Sequence, residues 1–186
     1  TGVGKGRQAA AILRWALKEG HIPVFISKIP TLFTDMYGDL HDIGTDNLKP
    51  FLMNRGEWIT GDDGEKLFMG RPDGQAKLLE GIRDNGTLPK GSNAMFLTYS
   101  QINKDNLQRA ALMRIAPHAV FVLDESHNAA GDSQTGEFMT KALAESKGVT
   151  YLSATYAKRP DNMPLYFKTD IGKAISDKSG LMDAMK

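Results

Sequence analysis

Four apolar runs of strand length punctuate the chain: Ile22–Ser27 (IPVFIS), Ala94–Tyr99 (AMFLTY), Ala119–Leu123 (AVFVL) and Val149–Leu152 (VTYL). A run that is apolar throughout buries both of its faces, which is the pattern of a parallel sheet with helices on either side. Helical spacing fills the intervals. Ala9, Ile12, Leu13, Ala16 and Leu17 share one stripe that stops at Gly20, and Phe33, Met36, Tyr37 and Leu40 share another, between Pro30 and Gly44. Two further helices are read at Asn106–Ala116, carrying Leu107, Ala110, Ala111 and Ile115, and at Gly136–Lys147. The fold class is α/β with a mostly parallel sheet.

At 186 residues the chain suits one medium-sized domain. Its 23 basic and 22 acidic residues leave a formal charge of +1, which excludes a strongly basic nucleic-acid coat and confines any nucleic-acid site to a local surface. The absence of cysteine excludes disulfides and thiolate metal sites and fits a reducing compartment. No apolar run approaches the roughly 20 residues of a membrane span, and no leader is read ahead of the glycines that open the sequence. Between Thr45 and Asn93 the pattern is less regular. Trp58-Ile59 and Leu67-Phe68 flank GDDGEK as in a hairpin, Ala76–Arg83 is a short helix, and the segment reads as an insertion decorating the sheet. Past Tyr156, Pro160 and Pro164 predict an irregular path, with a closing helix over Ala174–Lys186.

The opening TGVGKGR ends like a phosphate-binding loop. Glycines let backbone N–H groups curl toward a polyphosphate, and the helix that follows aims its positive end at the same anion. Lys5 then reaches the β- and γ-phosphates. One departure stands out: Gly6 follows the lysine, where a Ser or Thr hydroxyl normally binds magnesium. A plain glycine-rich helix cap is the competing reading. The second signal is Asp124-Glu125-Ser126-His127 (DESH), directly after the AVFVL strand, so that both carboxylates emerge at a strand's carboxyl end, where open α/β sheets bind ligands. Asp124 suits Mg²⁺, through water, and Glu125 suits polarisation of an attacking water. Alone, such a pair is more often a helix cap.

TGVGKGR, DESH and Ser153-Ala154-Thr155, in this order, resemble motifs I, II and III of superfamily 2 (DExH-type) helicases. The resemblance is closest to the strawberry-notch-like P-loop NTPases, whose loop also reads GVGKGR, so Gly6 follows the family pattern. FISKIPTLFTDMYGDLHDIG and FLTYSQI are similar to that group as well. The resemblance covers residues 1–160 and implies a RecA-like three-layer sandwich, the first motor lobe of a helicase or DNA translocase, with residues 161–186 as a tail. It implies ATP and Mg²⁺ as cofactors. Thr1, Gly2, Val3, Gly4, Lys5, Gly6 and Arg7 would hold the nucleotide, with His127 sensing the γ-phosphate or capping a helix. Asp124 would serve the metal, and Glu125 with Lys5 the chemistry. Ser153 and Thr155 would couple nucleotide state to a second RecA-like lobe. Ser27, Lys28, Thr98 and Tyr99 match positions near a nucleic-acid backbone, DNA before RNA, although Ser27 and Thr98 also suit helix capping. The resemblance further implies that these residues are a piece of a longer protein, inactive alone without the second lobe's arginine finger, in a bacterial or phage cytoplasm or a eukaryotic nucleus. A protein-remodelling NTPase and a degenerate lobe kept for interaction are the competing readings.

Other candidates read as structural. Asp35, Asp39 and Asp42 fall on one helix face and suggest a solvated, acidic surface unsuited to a nucleic-acid track. His21, His41 and His118 are too isolated for a metal site. Trp15 and Trp58 are expected to pack, and the methionines to fill the core.

Overall fold

The apolar runs become the interior of one sheet. The computed structural model describes residues 2–124 and 133–152. In chain order the elements are α1 (Gly2–Lys18), β1 (Ile22–Ser27), α2 (Leu32–Asp42), β2 (Pro50–Leu52), β3 (Trp58–Thr60), β4 (Lys66–Met69), α3 (Gln75–Asn85), β5 (Ala94–Thr98), α4 (Leu107–Ile115), β6 (Ala119–Leu123), α5 (Ser133–Glu145) and β7 (Gly148–Tyr151). Five strands form the main sheet in the order β2-β5-β1-β6-β7, and every neighbouring pair runs parallel. β1 lies at the centre, with Phe25 opposite Phe96 on one side and opposite Val122 on the other.

Alternate residues of each central strand feed opposite layers, because successive side chains point to opposite faces. Phe25, Phe96 and Val122 pack with Ala9, Ala10 and Leu13 of α1 and Phe33, Met36 and Leu40 of α2. Val24, Ile26, Met95, Leu97, Phe121 and Leu123 turn the other way, against α3, α4 and α5. The result is the expected three-layer sandwich. Gly20 closes α1 at φ 80°, a left-handed conformation in which glycine carries no Cβ penalty, while the His21 N–H reaches back to the Ala16 carbonyl at 2.9 Å. Asn106 caps α4 by accepting from the Arg109 N–H at 3.0 Å.

Some sequence expectations change. The glycines at the start do not form a turn ahead of the first helix: Gly2–Arg7 are its opening turns. Once Ala9–Leu17 is helical, extending it backward adds residues to an existing nucleus, which is far easier than starting a new one. The segment 45–93 does more than decorate the sheet, since β2 is its edge strand, with Phe51 opposite Met95. The expected hairpin is present as β3–β4, and it packs on α2 through Phe68, whose ring lies 5.3 Å from that of Tyr37. Gly70 closes that hairpin in a place where a Cβ would strike the Asn54 carbonyl.

Tyr99 leaves the strand for a short 3₁₀ turn, Tyr99–Ile102. Trp15 and Trp58 do not pack inside; they are 48% and 43% exposed. Trp15 lies off the α1 stripe of Ala9, Ala10 and Leu13 that meets the sheet, and Trp58 pairs with Met69 on the hairpin, under the Lys66 ammonium. Met36, Met53, Met95 and Met139 are buried as expected, whereas Met69 is exposed. The expected tail over 161–186 lies outside the described residues.

Candidate functional site

From β1 the chain crosses to the β5–β2 side of the sheet, and from β6 it crosses to β7. Where two neighbouring parallel strands send their connections in opposite directions, a crevice opens at their carboxyl ends. A cleft of about 630 Å³ lies there, lined by Gly6 of α1, Phe25 of β1, Asp35, Asp39 and Asp42 of α2, and Asp124 after β6. Asp124 is fixed from both sides: its N–H donates to the Ile26 carbonyl at 2.8 Å, and its carbonyl accepts from the Tyr99 hydroxyl at 2.9 Å. The structure therefore brings together the start of α1 and the first acid of DESH, as their order in the sequence suggests.

The start of α1 is suited to an anion. Its first N–H groups have no partner within the helix, and the peptide dipoles add partial positive charge at that end. Gly2, Val3, Gly4 and Lys5 lie in these turns and are described by backbone alone; Arg7 is exposed beside the cleft. Thr1, Glu125, His127, Ser153 and Thr155 lie outside the described residues.

The four residues matched to a nucleic-acid backbone divide sharply. Lys28 is exposed. Ser27, Thr98 and Tyr99 are buried, at 0%, 1% and 7% exposure. The Ser27 hydroxyl donates to the Ile29 carbonyl at 2.8 Å, and Thr98 Oγ1 accepts from Asn54 Nδ2 at 2.8 Å while its N–H donates to Asn54 Oδ1. Ser27 caps no helix, and Thr98 stands at the start of the 3₁₀ turn without a capping hydrogen bond from its side chain. Thr98 instead ties β5 to the residues that follow β2. Asn54 has no sequence signal of its own, because its role depends on a strand pairing 44 residues away.

Asp39 departs most from its expected role. Asp35 and Asp42 are exposed, as a solvated face requires, but Asp39 is half-buried against α1. A Cβ on Gly6 would overlap Asp39 Oδ2 and lie 3.1 Å from its Cγ. Burial and then the charges of Asp42 and Asp35 hold the Asp39 carboxyl above the usual carboxylate range, opposed by Arg7. The sign of the consequence follows. A carboxyl that holds its proton more tightly when folded loses stability as pH rises from its unfolded value, 3.8, through its folded midpoint. Asp39→Asn is therefore expected to make the ligand-free protein more stable than wild type at neutral pH, with the advantage fading in acid. Denaturant titrations at pH 3.5 and pH 7 check this; an equal difference at both would contradict it.

The remaining histidines and helices exclude rather than suggest. His41 is exposed and pairs with Asp46 at 2.7 Å, which raises its pKa. Among the described residues no cluster of three or more His, Asp or Glu side chains is placed to hold a metal ion, and no helix is long and apolar enough to cross a membrane.

Comparison with protein families decides what this cleft belongs to. Residues 1–172 match the model of the P-loop containing NTP hydrolase pore-1 family. The chain is a member of that family. No curated protein and no solved structure was found to match it. Membership makes this a P-loop NTP hydrolase domain of RecA-like fold and implies nucleotide binding and hydrolysis. Such domains generally bind nucleotide together with Mg²⁺, and the donors here fit both: a helix start that would leave N–H groups for phosphate, and carboxylate oxygens, the hard ligands magnesium prefers.

Proposed function

We propose that this domain is the first motor lobe of a strawberry-notch-like, superfamily 2 helicase or DNA translocase, and that it binds and hydrolyses ATP. The observation that supports this most is the meeting of Gly6 and Asp124 in one cleft at the sheet's crevice, joined to the ordered series TGVGKGR, DESH and SAT. Bound Mg²⁺ would neutralise charge on the transferring phosphate. The chain's own residues do the rest. Gly2, Gly4 and the helix N–H groups orient the phosphates, Lys5 adds a point charge, and Thr1, Val3, Gly6 and Arg7 frame them. Asp124, tethered through its backbone to Ile26 and Tyr99, would hold the metal with its carboxylate. Glu125, the next residue, accepts the proton of the attacking water, and His127 contacts the γ-phosphate side. Ser153 and Thr155, just past the described end of β7, pass the nucleotide state to a second RecA-like lobe.

Nucleic acid, DNA in preference to RNA, is the partner in this reading, held electrostatically with Lys28 at the edge of its track. Its working compartment is the bacterial or phage cytoplasm, or the nucleus in a eukaryote. A protein-remodelling NTPase is the second reading, favoured by the burial of Ser27, Thr98 and Tyr99, which leaves little of the expected track exposed. Degeneration is disfavoured because Lys5, Asp124 and Glu125 are all present.

The test is steady-state ATP hydrolysis by the full-length protein, alone and with saturating single-stranded DNA or RNA. Stimulation by nucleic acid, larger with DNA, is the expected result. Turnover that neither nucleic acid changes would sink the motor assignment and leave the protein-remodelling reading.

A further inference from the structure

In a P-loop the residue after the lysine is ordinarily Ser or Thr, and its hydroxyl is a ligand of the nucleotide's magnesium. Here that residue is Gly6. The space that its side chain would enter is not empty, because a Cβ there would overlap Asp39 Oδ2. A serine hydroxyl oxygen sits one bond beyond Cβ, so a carboxylate oxygen from α2 stands about where the α1 hydroxyl would begin. A side chain at Gly6 would require the Asp39 carboxyl to turn aside.

The helix that carries Asp39 is anchored on both sides of it. Met36 and Leu40, its neighbours on α2, are buried under the sheet, and Thr34 Oγ1 accepts from the Thr60 N–H at 3.2 Å, fixing the helix to the hairpin. Asp124 lines the same cleft.

We propose that Asp39 replaces the missing hydroxyl, supplying from α2 the protein oxygen that holds the divalent cation of the bound nucleotide. The proposal rests on the nucleotide-binding reading above and goes beyond it by naming a ligand outside the P-loop. Magnesium keeps several waters and takes one or two carboxylates plus phosphate oxygens. A site built that way needs only one or two protein carboxylates. It has a second consequence. Asp35, Asp39, Asp42 and Asp124 share the cleft, so a bare polyphosphate is repelled and the cation becomes the condition for tight nucleotide binding.

Two measurements on the full-length protein separate this idea from the reading beneath it. ADP affinity is measured by calorimetry in EDTA and in excess Mg²⁺, and Mn²⁺ affinity of the ADP complex by electron paramagnetic resonance. Wild type should bind ADP more tightly with Mg²⁺ than in EDTA. Asp39→Asn should weaken Mn²⁺ binding by about tenfold or more, at least the loss seen on removing an outer-shell partner, while ADP affinity in EDTA stays equal or rises. Asp42→Asn, an equal change of charge on the exposed rim, should shift Mn²⁺ affinity by no more than about twofold, on the scale of an exposed charge. Gly6→Ser combined with Asp39→Ala should recover the cation affinity that Asp39→Ala alone loses, since a hydroxyl from α1 then supplies the protein oxygen. Unchanged Mn²⁺ affinity in Asp39→Asn, or equal losses in Asp39→Asn and Asp42→Asn, would overturn the assignment of Asp39. If wild type binds no ADP under either condition, the nucleotide-binding reading itself falls.

Discussion

Glu125→Gln in the full-length protein is expected to leave ATP binding intact while hydrolysis falls by about 10²–10⁴-fold, the usual contribution of a positioned general base. The amide keeps the shape and size of the carboxyl but cannot accept the proton of the attacking water. In the sequence Glu125 comes directly after Asp124, whose backbone is pinned at the carboxyl end of β6. Binding by calorimetry and turnover by phosphate release should separate cleanly. Wild-type turnover in the variant would remove Glu125 from the chemistry.

Phe96→Ala is expected to lower stability by about 3–5 kcal/mol, the range for deleting a buried aromatic ring. Phe96 is fully buried on β5 and meets Phe25 edge-on, with ring centres 5.4 Å apart, and Phe33 at 5.8 Å. It thus joins two neighbouring strands to α2. The gap it leaves is bounded by a sheet paired on both sides, so the surroundings have little freedom to collapse. Chemical denaturation with an unchanged slope would show the loss directly, and a change below about 1 kcal/mol would show that the layer repacks more easily than close packing allows.

Elements whose burial is written in their own composition were legible without the structure. IPVFIS, AMFLT and AVFVL are apolar throughout because each is covered on both faces, and each is a strand within one residue of its expected bounds. The same holds for α2, whose stripe of Phe33, Met36 and Leu40 is the buried one. β2 was not legible. Pro50–Leu52 is three residues long, too short for periodicity, and is a strand only because the edge of β5 offers partners. Trp15 and Trp58 misled for a related reason, since hydrophobic character alone does not say which face of a helix or hairpin turns inward.

The cleft was legible in part. Gly6 of the glycine–lysine run and Asp124 after β6 both line it, and the sequence singled out both. Asp39 was hidden by its own pattern. Three acids at helical spacing read as a solvated face, and for Asp35 and Asp42 that holds. Only the packing of α2 against α1 turns the middle one toward Gly6. The missing hydroxyl was visible in the sequence; the group standing in its space was not.

The central claim is that the start of α1 holds a nucleoside triphosphate through Lys5. Calorimetric titration of the full-length protein with ATP and Mg²⁺, wild type against Lys5→Ala, tests it most directly. A charge-assisted contact of about 1.5–3 kcal/mol corresponds to a loss of roughly 10- to 150-fold in affinity. That loss, with unchanged thermal stability of the ligand-free protein, is the predicted result. Equal affinities for the two proteins would place the phosphates elsewhere and contradict the account.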